Sequence, residues 1–160
     1  MLYHGTLRRN LSSIIEKGLL PQKGEWVGSY YKDAFDLVYA TGQDRIGRLL
    51  PIITAQIAIA SLVEWSEDYR YEQYKEDFAT HGAIVLVRPT APFLLCNEDG
   101  NPPGAEQGDW YSFELITVEH IEKTVVGSEL FKWVNLSNEE FVYRLRGMIR
   151  DRYQLPAVFT

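Results

Sequence analysis

Hydrophobic positions recur along this chain with two different periods, and the points where the period changes mark its elements. Leu2 and Tyr3 make an apolar opening that runs into His4-Gly5-Thr6, a short strand closed by a turn. From Asn10 the spacing becomes helical. Leu11, Ile14, Ile15 and Leu19 fall on one face, Asn10 is the expected N-cap, and Gly18 suits the C-terminal end. Pro21 to Asp36 reads as a loop carrying Trp26, Tyr30, Tyr31 and Phe35, and a loop of that length ordinarily has a task such as covering a ligand. Leu37 to Thr41 is a β-prone run ending at Gly42. Helical spacing then returns at Ile46, Leu49 and Leu50, and continues at Ile53, Ile57 and Ala60 beyond Pro51, which divides or kinks the element.

Ser66 to Thr80 mixes charge with aromatics and reads as a surface helix with a solvated face. Ala83 to Val87 is a continuous apolar run, the signature of a strand buried on both sides. Phe93 to Cys96 continues as strand or sheet edge, and Asn97 to Asp109 is a loop rich in Asn, Gly and Pro. Trp110 to Thr117 alternates, placing Tyr111, Phe113 and Leu115 on one face and Trp110, Ser112, Glu114 and Ile116 on the other. After a turn at Val118 to Ile121, Lys123 to Val126 is another strand. Ser137-Asn138-Glu139-Glu140 forms a capping box for a last helix, and Leu155 to Phe159 makes an edge strand. No repeat or linker interrupts residues 1–160, so the expectation is one α+β domain with helices first and strands concentrated later.

Composition narrows the function classes. A net charge of -6 leaves no global basic field to hold nucleic acid, which would need a local patch. Cys96 is the only cysteine, so an intramolecular disulfide is ruled out; its apolar surroundings point to a buried, inert thiol. The longest apolar segment, Leu49 to Val63, is too short and too polar to span a bilayer, and no basic region precedes an apolar stretch at the N-terminus. The expected setting is cytoplasmic, without a membrane partner. His4, His81 and His120 lack metal-ligand spacing, and no metal is expected.

Three features then stand in order: His4-Gly5-Thr6 at the end of the first strand, Tyr39-Ala40-Thr41 at the end of the second, and Glu114 in a later aromatic-rich strand. The opening continues as Ile14-Ile15-Glu16-Lys17-Gly18-Leu19-Leu20-Pro21, and Glu114 sits in Phe113-Glu114-Leu115-Ile116-Thr117. In these blocks, which cover most of residues 1 to 126, the chain resembles the ADP-ribosyltransferase superfamily, in its His-Tyr-Glu branch of diphtheria-type toxins and poly(ADP-ribose) polymerases. The resemblance implies a split pair of antiparallel sheets with flanking helices. It implies that His4 hydrogen-bonds a ribose of NAD, that the Gly5 backbone holds the nicotinamide carboxamide with Thr6 beside it, and that Tyr39 stacks on the ring. Glu114 would be the catalytic carboxylate, with Glu119 its rival, and Arg8 or Arg9 would meet the pyrophosphate.

These residue types suit the chemistry on physical grounds as well. Breaking the nicotinamide–ribose bond builds positive charge on the sugar, and a fixed carboxylate interacts most strongly when that charge has developed. An aromatic face holds a flat ring, and glycine admits close backbone approach. The expected activity is mono-ADP-ribosylation of a macromolecular acceptor, protein before nucleic acid, by a bacterial or phage effector or the toxin of a toxin–antitoxin pair, which would add an antitoxin as partner. RNA 2'-phosphotransferase-like chemistry, NAD hydrolysis and a catalytically silent NAD- or ADP-ribose-binding module are the alternatives. The phosphotransferases carry a second histidine where this chain has Tyr39.

Overall fold

A computed structural model describes residues 1–22, 35–49, 52–53, 56–57, 71–97, 100–102 and 107–133. Its elements are β1 (Leu2–Leu7), α1 (Leu11–Lys17), β2 (Val38–Thr41), α2 (Tyr71–His81), β3 (Gly82–Val87), β4 (Leu94–Leu95), β5 (Asp109–Ser112), β6 (Ile121–Val126) and α3 (Leu130–Trp133). Among the described residues four of the six strands follow α2, in keeping with the expected concentration of strands later in the chain, although β1 and β2 precede it. Short 3-10 turns at Arg8–Asn10, Gln43–Arg48, Val118–His120 and Gly127–Glu129 join several of them. Pro51, most of the loop after Gln22, the Ser137 capping box and the Leu155–Phe159 segment lie outside the described residues.

The class is α+β. The six strands form one open antiparallel sheet in the order β4-β5-β2-β1-β3-β6. β1 and β3 pair over six residues, from Leu2–Val87 to Leu7–Gly82, and β2 and β5 pair over four, from Val38–Ser112 to Thr41–Asp109. β1 and β2 meet in register only at Tyr3–Thr41. The sheet is thus continuous, and the expected pair of separate sheets is corrected. Its two triplets, β4-β5-β2 and β1-β3-β6, nevertheless share a seam one residue pair wide.

Each face of this sheet carries its own core. On one, Leu2, Val38, Ala40, Ala83, Val85 and Val87 pack with Leu11 and Ile14 of α1 and with Leu19 and Ile116. On the other, Leu49, Ile53, Ile57, Phe78 and Leu130 are all buried. β3 lies between the two and is buried at all six positions, as its unbroken apolar run requires. α2 departs from expectation: Phe78, within the stretch read as a solvated face, is wholly buried, and its ring lies 6.4 Å from that of Phe131.

Gly18 fixes how α1 leaves its helix. Its φ of +86° belongs to the region glycine favours, and a Cβ there would land on the Ile116 carbonyl oxygen. That close approach lets Leu19 and Ile116 exchange backbone hydrogen bonds of 2.9 and 3.1 Å, tying the end of α1 to the chain beyond β5. At the other end Asn10 occupies the N-cap position but makes no capping bond; its Nδ2 donates instead to Thr6 Oγ1 at 3.2 Å.

Candidate functional site

The seam between β1 and β2 brings one of the expected site residues, His4, against the backbone of another, Tyr39. Past Tyr3–Thr41, the two strands run on without further register pairs, toward Leu7 on one side and Leu37 on the other. A side chain fills the missing ladder bond: His4 Nδ1 lies 2.6 Å from the Tyr39 carbonyl oxygen. A carbonyl only accepts, so Nδ1 carries the proton and donates. The neutral ring then presents Nε2 as a lone-pair acceptor. Burial pushes the His4 pKa below its ordinary value, and the bond to Tyr39 opposes that shift without overturning it. His4 is therefore held neutral, in one tautomer, with one acceptor nitrogen to offer.

Register separates the remaining side chains. His4 shares its face with Thr6 and, across the β1–β3 ladder, with Val85. Tyr39 shares its face with Thr41 and Tyr111, so alternation sends the His4 and Tyr39 side chains to opposite faces of the sheet. What meets at the seam is the His4 ring and the Tyr39 backbone. Thr6 is buried, with its hydroxyl oxygen engaged by Asn10, and Arg8 is exposed in the turn after β1.

Gly5 has a packing role that sequence reading missed. A Cβ on Gly5 would come within 2.9 Å of Ile53 Cγ1 and 3.4 Å of Leu49 Cδ2. The residue is small because the Leu49 and Ile53 side chains lie against it, whatever its backbone offers a ligand. A glycine two positions past an aromatic in a strand is compatible with either role, and the sequence alone does not separate them.

Glu114 is not within a strand. β5 ends at Ser112, shorter than the expected Trp110–Thr117, because the Ser112 hydroxyl captures the next backbone: Glu114 N–H donates to Ser112 Oγ at 3.1 Å and Ser112 Oγ–H donates to the Glu114 carbonyl at 3.3 Å. The resulting bend turns Glu114 outward, exposed, between the buried Ser112 and Ile116. Since Ser112 pairs with Val38, Glu114 lies at the sheet end toward which β1 and β2 run unpaired. Glu119 sits in the following 3-10 turn, where its Oε1 accepts from Thr117 Oγ1 at 3.1 Å and lies 3.9 Å from His120 Nε2.

Arg45 was not anticipated. Its Nε lies 3.6 Å from Asp109 Oδ1, and its Nη1 donates to the Gln107 carbonyl. Gly108, at φ +90°, leaves room for it: a Cβ there would meet Arg45 Nη1 at 2.7 Å. Thr41 Oγ1 also donates to the Arg45 carbonyl at 3.4 Å, and Tyr3 O–H donates to Gln43 Oε1. The Gln43–Arg48 turn thus fastens β1, β2 and β5 together at the closed end of the seam. An arginine in a short polar turn carries no sequence signal for such a latch.

Cys96 is buried, as expected. Among the described residues no group of three or more His, Cys, Asp or Glu side chains could hold a metal ion, and no helix is long and apolar enough to cross a membrane. Neither family models, curated proteins nor solved structures give a match to this chain.

Proposed function

We propose that the chain is an ADP-ribosyltransferase that binds NAD at the β1–β2 seam and transfers ADP-ribose to a macromolecular acceptor. The observation that carries the reading is the held, neutral His4 at a seam one residue pair wide. With Nδ1–H committed to the Tyr39 carbonyl, Nε2 accepts from a donor, and a ribose hydroxyl is such a donor. A binding role fits His4 better than general-base work, because burial disfavours the protonated ring that a base must become.

The step itself breaks the bond between ribose C1′ and the nicotinamide nitrogen. Nicotinamide departs with the bonding electrons, the acceptor nucleophile bonds to C1′, and the acceptor's proton goes to solvent or a base. Glu114 is the carboxylate for the positive charge that grows on the sugar, lowering the barrier when that charge is largest. The resemblance gives Tyr39 the stacking face, but the register sends its side chain to the face opposite His4, and what Tyr39 brings to the seam is its carbonyl. Gly5 and Thr6 supply backbone to the carboxamide and Arg8 a cation for the pyrophosphate.

Incubation with labelled NAD and cell lysate tests this. The wild type should release nicotinamide and label an acceptor, and Glu114→Gln should lower release about 100-fold or more while retaining NAD binding. Unchanged turnover in Glu114→Gln removes the catalytic assignment. Release without a labelled product supports NAD hydrolysis, and NAD binding without release supports the silent module.

A further inference from the structure

The bend that exposes Glu114 also exposes the apolar residues on both sides of it. Phe113 and Leu115 flank the carboxylate, and the Leu19–Ile116 bridge sets Leu20 abreast of Leu115 on the outer side of the pair. Phe35 extends the surface, its ring edge-on to Phe113 with centroids 6.3 Å apart. α1 packs against the Val118–His120 turn, and these two adjoining elements add the exposed Ile15 and Val118. These six large apolar side chains are each between 40% and 60% exposed. Scattered single apolar residues on a surface are ordinary; a contiguous set around one carboxylate is the signature of a docking site.

The charges beside these residues identify what would dock. Glu16 follows Ile15, Asp36 follows Phe35, Glu114 separates Phe113 from Leu115, and Glu119 follows Val118, and all four are exposed. Lys17 is the one cation between Ile15 and Leu20, and Arg8 and Arg9 lie beyond the opposite end of α1. An apolar surface with an acidic rim attracts apolar side chains carried between basic ones and repels a phosphate backbone. The overall charge of -6 acts in the same sense.

We infer that the apolar collar around Glu114 is the acceptor-docking surface, and that the acceptor is a protein segment presenting aliphatic or aromatic side chains flanked by Lys or Arg. This rests on the transferase reading for the word acceptor, and on the surface alone for the partner's chemistry. The collar places the partner's apolar contact next to the carboxylate.

Fluorescence anisotropy with defined probes tests it. The probes are a labelled peptide with central Leu and Phe between lysines, the same peptide with Ser for Leu and Phe, the same with Glu for Lys, and a labelled single-stranded oligonucleotide. The lysine-flanked apolar peptide should bind, more weakly as salt rises, and both peptide changes should abolish binding. Leu20→Ser and Leu115→Ser should each weaken it about tenfold, the scale of losing one well-buried contact at an interface. Circular dichroism and nicotinamide release with water as acceptor should match wild type in both variants. Equal binding of the Ser-containing peptide, tighter binding of the oligonucleotide, or peptide affinity unchanged in both variants overturns the inference. So does a concentration-dependent dimer, seen by sedimentation, that Leu115→Ser abolishes. Peptide binding in a protein that neither binds nor cleaves NAD would sink the transferase reading and leave the surface standing; NAD cleavage without peptide binding would do the reverse.

Discussion

Replacing Gly5 with alanine separates two roles that glycine has in this site. The added Cβ would sit 2.9 Å from Ile53 Cγ1, roughly 0.6 Å inside an ordinary carbon–carbon contact of about 3.5 Å. Ile53 Cδ1, at 3.2 Å, can turn away, but Cγ1 is fixed near the backbone, and Ile53 is wholly buried. Overpacking of this kind costs about 1–3 kcal/mol. For a chain of 160 residues that corresponds to a fall in Tm of roughly 2–4 °C for each kcal/mol. Ile53→Ala alone should cost about 2–5 kcal/mol through its cavity. In Gly5→Ala/Ile53→Ala the new methyl occupies part of that cavity, so the double variant should be more stable than the sum of the single effects predicts. Urea unfolding of the four proteins measures this. Gly5→Ala within about 0.5 kcal/mol of wild type, or strict additivity, would refute the packing argument. NAD affinity measured on the same proteins gives the second answer: recovery in the double variant means that the glycine serves packing, and continued loss means that the ligand needs the bare backbone.

Two further outcomes follow from the same geometry. Arg45→Ala removes the charge partner of the nearly buried Asp109 and the donor to the Gln107 carbonyl, and should cost about 1–3 kcal/mol in urea unfolding. A cycle with Asp109→Asn should give a coupling of about 0.5–3 kcal/mol, and zero coupling would remove the latch. His4 makes stability pH-dependent: its folded pKa is depressed, so the unfolded chain takes up the proton first as pH falls below the ordinary value of 6.5. Its contribution is constant above that value and is lost below it, at no more than about 1.4 kcal/mol per pH unit, until the folded ring is itself protonated. Unfolding midpoints of wild type and His4→Asn should be close at about pH 8 and separate toward about pH 5, wild type falling below the variant, if His4 is responsible.

Elements whose evidence is local were legible in the sequence. β3 announced itself because five consecutive apolar residues fit only a strand buried on both faces. The end of α1 was marked by a glycine where the backbone needs a positive φ. β2 was bounded correctly by Gly42. What remained hidden depends on partners distant in the chain. The one-pair seam is a property of β1, β2 and their neighbours together, and alternation within β1 carries no trace of it. The expected strand through Glu114 failed because a hydroxyl two residues earlier competes with the ladder for the Glu114 amide, and period-2 patterning is blind to that. His4 could be picked out as a candidate beside a glycine; its tautomer and acceptor nitrogen came only from the contact with the Tyr39 carbonyl.

That contact also supplies the sharpest test of the account. In His4→Asn the side-chain amide N–H can replace Nδ1–H on the Tyr39 carbonyl, while the acceptor at the Nε2 position is gone. Calorimetric titration with NAD should then show binding by wild type and affinity lower by about tenfold in His4→Asn, the scale of one lost hydrogen bond, with the urea midpoint near that of wild type. NAD bound equally tightly by the two proteins, or by neither, would contradict the assignment of the β1–β2 seam as the NAD site.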